Sequence, residues 1–236
     1  MAYPGGKSGS GVYQKIINQM PPHDVYIEPF LGGGSVMKYK RPALSSIGID
    51  ADVQVVENWR DANITGLKVI NADALAFLPE WFAATKIAPS RVLVYMDPPY
   101  LGSARASSRP IYTHEMLTEE EHIELLEMAK GLPCNVILSG YYSDLYETNL
   151  QGWRHIEFQT MTRGGFPAME SLWMNYPEPY ELHDYRYLGD GYRERERIKR
   201  KVNRWRKRLE EMGSLERYAL LEAMNTVRGG DASVSL

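Results

Sequence analysis

A chain of 236 residues with 44% hydrophobic content is long enough for one α/β core plus an appendage. Its single cysteine, Cys134, excludes an internal disulfide framework and fits a reducing cytoplasm, and its five histidines show no metal-ligand spacing. Neither a signal peptide nor an apolar run of about eighteen residues is present, which argues against secretion and membrane spanning.

From the N-terminus, His23–Phe30 predicts a short apolar strand, followed at once by the glycine loop Leu31–Ser35. Glycines there let the backbone turn tightly from strand to helix and let a ligand approach closely. The loop lacks the Gly-Lys-Ser/Thr ending of a P-loop, which argues against a nucleotide triphosphatase. Ser45–Asp50 predicts a second strand, ending in an acid about twenty residues past the glycines, a spacing suited to ribose hydroxyls in doubly wound nucleoside sites. Leu67–Asp73 predicts a third, whose terminal acid could accept from the adenine amino group of a nucleoside cofactor. For each acid the competing reading is a helix N-cap. Together with Asp97 after the next apolar run, these make three strand-end acids in register with one glycine loop, which favours the ligand site.

The run Arg91–Met96, rich in β-branched and aromatic residues and stopped by prolines, predicts a buried strand ending in the rigid turn Asp97-Pro98-Pro99-Tyr100. Groups just past the carboxyl end of such a strand face the ligand crevice. The turn presents a carboxylate, a proline carbonyl and an aromatic face together. That set suits a planar ring bearing an amine: the acceptors hold the amino hydrogens and Tyr100 stacks on the base. The competing reading is an ordinary Pro-Pro turn with a solvated Asp.

Leu101–Ile111, with Arg105 and Arg109 among small residues, predicts a long polar loop beside that turn. Thr118–Ala129 reads as an amphipathic helix opened by a capping box of Thr118 and Glu121. It leads into a strand at Cys134–Ser139, completing a βαβ unit. Cys134 opens that apolar run, which favours packing over a role as the nucleophile of C5-cytosine methylation. Trp153–Phe158 and Ser171–Tyr176 predict final strands in an edge hairpin. The loop between them, Thr162–Pro167, is basic and contains glycine, as expected of a segment that faces a polyanion.

Pro177-Glu178-Pro179 marks the boundary to a tail. From Arg186 to Arg208, eleven Lys or Arg stand against Asp190, Glu194 and Glu196, a local +8 that leaves -11 for the rest of a chain whose total is -3. Such asymmetry is the electrostatic footprint of a nucleic-acid contact, and binding through it weakens steeply with salt. Ile198, Val202, Trp205, Leu209 and Met212 recur at steps of four and three, an apolar stripe that would dock on the body or on another subunit. The competing reading of the charge is a solvated helix face. Gly229–Leu236 is expected to be disordered.

Ala2-Tyr3-Pro4-Gly5-Gly6-Lys7, Glu28–Ser35, Asp50 and Asp97-Pro98-Pro99-Tyr100 occur in one order. In that order the chain resembles the Dam-type, alpha-class N6-adenine DNA methyltransferases, over about residues 1 to 176. The resemblance implies an α/β, Rossmann-like S-adenosylmethionine-dependent methyltransferase fold. Its sheet would be mostly parallel and seven-stranded with an antiparallel edge hairpin, followed by a basic helical C-terminal tail. The domains expected are a catalytic domain at 1–178, a helical extension at 179–228 and a disordered tail at 229–236.

Carried over position by position, the resemblance implies cofactor contacts from Tyr3, Lys7, Asp50 and Asp97. Phe30, Gly32 and Gly34 would line the methionine and ribose side, with Asp73 near the cofactor adenine. Asp97, Pro98, Pro99 and Tyr100 would be catalytic, acting on adenine flipped out of the DNA stack, with no metal required. Tyr112-Thr113-His114, Ser139-Gly140-Tyr141 and Glu170–Tyr176 resemble the family's second half. Tyr112 and His114 join Arg105, Arg109, Arg163, Lys199, Arg200 and Arg204 as candidate DNA contacts. The final sixty residues look similar to tails on small phage or prophage members, which implies protection from host restriction in a bacterial or phage-infected cytoplasm.

One departure stands out. Longer family members insert a target-recognition domain between the ribose-binding acid and the Asp-Pro-Pro-Tyr motif, whereas here Asp50 and Asp97 are 47 positions apart. N4-cytosine methylation, a catalytically silent DNA-binding protein and a nucleotide-binding dehydrogenase remain as alternatives, the last contradicted by the Pro-Pro turn. Self-association through the C-terminal helix is a further expectation.

Overall fold

The computed structural model describes residues 6–9, 11–101, 116, 118–161, 165 and 167–231, the last four by backbone alone. The chain divides into two compact units, Met1–Tyr187 and Leu188–Leu236.

The first unit is built on one seven-stranded sheet. Its strands are β1 (Val25–Glu28), β2 (Ser45–Asp50), β3 (Leu67–Asn71), β4 (Val92–Met96), β5 (Asn135–Gly140), β6 (Arg154–Met161) and β7 (Pro167–Met174), in the order β3-β2-β1-β4-β5-β7-β6. The five strands β1 to β5 pair in parallel, and β7 runs antiparallel to both β5 and β6. This is the mostly parallel sheet with an antiparallel edge hairpin that the sequence predicts. Helix α1 (Val12–Ile17) precedes β1, and the connections carry α2 (Ser35–Tyr39), α3 (Val53–Asn58), α4 (Ala74–Ala84), α5 (Glu119–Gly131) and α6 (Asp144–Asn149).

The central strands are covered on both faces, which is why they read as unbroken apolar runs rather than alternating ones. All four residues of β1 and all five of β4 are buried. Successive side chains point to opposite faces and so divide between two layers. Val25, Ile27, Val92, Val94 and Met96 pack with Leu78 of α4 and with Leu125, Leu126 and Ala129 of α5. Tyr26, Leu93 and Tyr95 pack with Ile16 and Ile17 of α1, Val36 and Met37 of α2 and Val55 of α3. The expected capping box on α5 is present, Thr118 and Glu121 each accepting the other's backbone N–H.

The chain winds outward from β1 through β2 to β3 and then returns to lay β4 on the other side of β1. Strand order therefore reverses between β1 and β4, the place where an α/β sheet opens its ligand crevice. Glu28 closes β1 at that point and Asp97 follows directly on β4.

The first unit extends past the boundary that Pro177-Glu178-Pro179 suggests, because the next segment is tied down. The His183 N–H donates to the Met20 carbonyl (2.9 Å), and the Arg41 N–H donates to the Asp184 carboxylate (2.8 Å). The Asn18 side-chain amide donates to the Tyr187 carbonyl (2.7 Å). His183 also stacks on His23 with ring centroids 3.8 Å apart.

The second unit contains α7 (Tyr192–Glu211) and α8 (Ser214–Asp231). Val202, Trp205 and Leu209 of α7 line a groove with Arg217 of α8. Val202 and Trp205 remain 49% and 41% exposed, so the predicted stripe is only partly covered. Helix α8 runs through Gly229 and Gly230 to Asp231, beyond the expected start of disorder. Each glycine costs a helix about 1 kcal/mol, which the strong helix formers before them offset. Residues 232–236 lie outside the described ones. Among the described residues no helix is long and apolar enough to cross a membrane.

Candidate active site

A cavity of about 490 Å³ lies at the switch point. Its wall brings together Phe30 and Gly32 from the loop after β1, Asp50 at the end of β2, Asp73 after β3, and Asp97 and Pro99 after β4. Four separate strand ends thus converge on one hollow, as their positions in the sequence predict. Leu75 and Met116 add apolar wall, and Glu121 and Glu124 of α5 contribute further carboxyl groups.

Local hydrogen bonds explain why the acids point where they do. The Gly32 N–H donates to Asp50 Oδ2 (2.8 Å) and the Asp52 N–H to Asp50 Oδ1 (2.9 Å). Both carboxylate oxygens are thereby fixed in direction, and a carboxylate has about four acceptor sites. Asp73 Oδ1 accepts from the Leu75 N–H (3.1 Å) and caps α4 while it also forms cavity wall, so the N-cap and ligand-site readings both hold for it.

Gly34 has a different task from the one expected. Its φ is +53°, a left-handed conformation that favours glycine, and a Cβ there would lie 2.1 Å from the Trp59 ring. Trp59 Nε1–H in turn donates to the Gly32 carbonyl (3.0 Å), so Gly34 admits the ring that braces the loop. Among the described residues Gly34 is not part of the cavity wall.

Lys7 is likewise absent from that wall, among the described residues. Its ammonium lies 2.9 Å from Asp97 Oδ1 and 2.8 Å from Glu170 Oε1, and it donates to the Tyr100 hydroxyl. Three donors thus meet three protein acceptors. Burial alone would lower the lysine's pKa, but Asp97 and then Glu170 outweigh it and hold it well above its ordinary value. The ammonium also sits 4.7 Å from the centre of the Tyr100 ring. Asp97 receives a second hydrogen bond from the Ser139 hydroxyl (3.0 Å), which is itself paired with the Tyr95 hydroxyl (3.0 Å).

Tyr100 donates to Glu170, 3.3 Å from Oε2, and its ring lies 4.4 Å from that of Tyr141. Pro98 is buried and Pro99 faces the cavity. The turn is therefore anchored rather than solvated, which removes the competing reading of Asp97. Glu170, Ser139 and Tyr141 fall within segments that the sequence singles out by resemblance, but their roles beside Asp97 are not readable there. A buried acid and serine inside apolar strand runs were the available signal.

Tyr3, Arg105, Arg109, Tyr112, His114 and Arg163 lie outside the described residues. Lys199, Arg200 and Arg204 are exposed on α7, in the second unit. Cys134 is buried, and burial pushes its thiol up to about 12, a packing cysteine rather than a nucleophile. Among the described residues no group of three His, Cys, Asp or Glu side chains is arranged to hold a metal.

Residues 67–162, which span β3 to β6 with the Asp97–Tyr100 turn, match the family of D12 class N6 adenine-specific DNA methyltransferases. The match spans less than half of the chain. No curated protein matches. Among solved structures, the chain is similar to the 23S rRNA methyltransferase ErmE (12% identity, TM-score 0.43, covering 72% of this chain and 68% of that one). It is similar also to a SAM-dependent methyltransferase from Agrobacterium tumefaciens (13%, 0.46, 70% and 60%). A third likeness is to a Streptococcus mutans protein titled a methyltransferase and solved in complex with SAH (11%, 0.44, 69% and 94%). The D12 class domain transfers a methyl group from S-adenosylmethionine to adenine N6 in DNA, and its matched segment contains Asp73, Asp97, Pro98, Pro99 and Tyr100.

Proposed function

We propose that Asp97 and the Pro98 carbonyl accept the two N6 hydrogens of an adenine flipped out of the DNA stack, with Tyr100 against the ring. The cavity would hold the cofactor, Asp50 accepting from ribose hydroxyls, Asp73 from the adenine amino group, and Phe30 and Gly32 lining the remainder. The donor set fits that molecule: two acids for the polar ends of a nucleoside and the apolar Phe30, Leu75 and Met116 for its ring. When bound, the cofactor supplies a methyl group already activated on sulfur. The protein's part is to place the amine and direct its lone pair, so positioning and fixed dipoles carry most of the acceleration.

One observation carries this reading. Asp97 is at once part of the cavity wall and the residue held by Lys7 and Ser139, so the amine acceptor and the cofactor space meet at one carboxylate. Lys7 is better cast as the residue that fixes Asp97 than as a cofactor contact. The test is methylation of DNA with labelled S-adenosylmethionine, then mass analysis of the nucleosides. Wild type should yield N6-methyladenine. Asp97→Ala should yield none above background while remaining folded, because Lys7 keeps Glu170 and Tyr100 as partners. N4-methylcytosine, no product from wild type, or full activity of the variant would overturn the assignment.

The same proposal extends to partners. Lys199, Arg200 and Arg204 would contact DNA phosphates, supported by the +8 segment and by their exposure. Self-association would use Val202 and Trp205, supported by their exposure beside the α7–α8 groove. A cytoplasmic setting, with protection of DNA from restriction, is the biological reading that accompanies it.

A further inference from the structure

Glu170 has no task in the roles assigned above, yet it is 2% exposed and reaches Lys7 and Tyr100 from β7. Burying a carboxylate is costly unless a cation and hydrogen bonds compensate it, and here one lysine serves two carboxylates. Among the described residues the neighbouring groups do not restore the balance. Glu28 is pushed up to about 8 by burial and is neutral near pH 7. The phenols of Tyr26, Tyr95 and Tyr100 are raised by burial and remain neutral. So do those of Tyr141 and Tyr146, which face Asp97 from beyond β5 and from α6. With both carboxyls ionised, Lys7, Asp97 and Glu170 together carry one negative charge.

We propose that Glu170 is a positioning residue that shares Lys7 with Asp97, leaving Asp97 incompletely neutralised so that it takes up the proton released by adenine N6. This rests on the assignment of Asp97 to the adenine amine. N6 forms its bond to the methyl carbon as the carbon–sulfur bond returns its electron pair to sulfur. The positively charged N6 then gives one hydrogen to the Asp97 carboxylate, and the three-residue cluster passes from one negative charge to none. Were Glu170 uncharged, Lys7 and Asp97 would form a neutral pair. Protonating Asp97 would then strand a buried lysine cation, which is strongly unfavourable. Burial already raises both carboxyls, with Lys7 pulling each back.

The test uses the full chain and two readouts. The first is the carboxyl ¹³C NMR titration of labelled protein without cofactor or DNA. In wild type one carboxyl of the pair should titrate at least one unit above the ~3.9 of an ordinary aspartate. In E170Q, which keeps the shape but not the charge, the Asp97 titration should move down by about one unit or more, and in E170D it should stay near wild type. The second is single-turnover methylation. Its acid limb should follow the same shift, with the E170Q plateau lower by roughly tenfold or more, as loss of a proton acceptor predicts. A wild-type pair titrating at the ordinary value, or E170Q with unmoved titration and acid limb, would overturn the proposal. If E170Q does not fold, the wild-type titration still decides. Failure of the underlying assignment looks different: wild type would then make no N6-methyladenine, whatever its carboxyls do.

Discussion

Single residues in this protein do work that their type alone does not announce. Gly34 is the clearest case, since its backbone is left-handed and Trp59 occupies the space of its absent side chain. Gly34→Ala would force that backbone at a cost of about 2 kcal/mol and also displace the indole. Trp59 braces the Gly32 carbonyl, so the loss should reach the cavity. Urea unfolding should show the lower stability, and calorimetric titration should show S-adenosylmethionine binding weakened by about tenfold or more. Asp50 offers the contrast: its role follows from position, and two backbone N–H groups hold it in the expected direction.

Among the elements, the segment Leu182–Tyr187 fastens the end of the first unit to the connections around α1 and α2. Its central feature is the stacked pair of His23 and His183. His23 Nδ1–H donates to the Pro21 carbonyl (2.8 Å) and His183 Nε2–H to the Arg41 carbonyl (3.0 Å), and burial holds both rings below their ordinary pKa. Burial, then His183 and Lys40, push His23 down to about 2. The unfolded chain protonates this ring near its ordinary value, about 6.5. Its contribution to stability is thus complete above about 6.5 and is lost as the pH falls toward 2, at up to about 1.4 kcal/mol per pH unit. Melting temperature should fall between pH 6.5 and 4.5 in wild type and fall less in His23→Phe, which keeps the ring without the titration. Equal slopes in scanning calorimetry would contradict this. None of this pairing was legible beforehand, because two histidines 160 positions apart meet only after the chain has folded. The strands were legible for the opposite reason. Apolar runs such as Val92–Met96 carry their burial in their own composition, and Thr118 with Glu121 declares a helix start within four residues. The cavity acids could be read because each ends a strand. The Lys7–Asp97–Glu170 cluster could not, since β7 reaches β5 by an antiparallel return that composition does not specify.

For the molecule as a whole, charge is divided between two units, with the basic residues concentrated in α7. If that helix meets phosphate, replacing Lys199, Arg200 and Arg204 by Glu should weaken DNA binding and flatten its salt dependence. The slope of log K against log salt should drop by about 2 to 3, at roughly 0.9 for each phosphate no longer neutralised. S-adenosylmethionine binding, measured by calorimetry, should not change. An unaltered salt slope would remove α7 from the DNA interface. The molecule also offers a means to follow that helix directly. Its one thiol, Cys134, is buried and pushed up to about 12 by that burial, so alkylating dyes should react with it slowly. A second cysteine introduced on an exposed turn of α7 would be the fast-reacting handle on the natural background, ready to carry a fluorophore or spin label that reports when the arm engages a duplex.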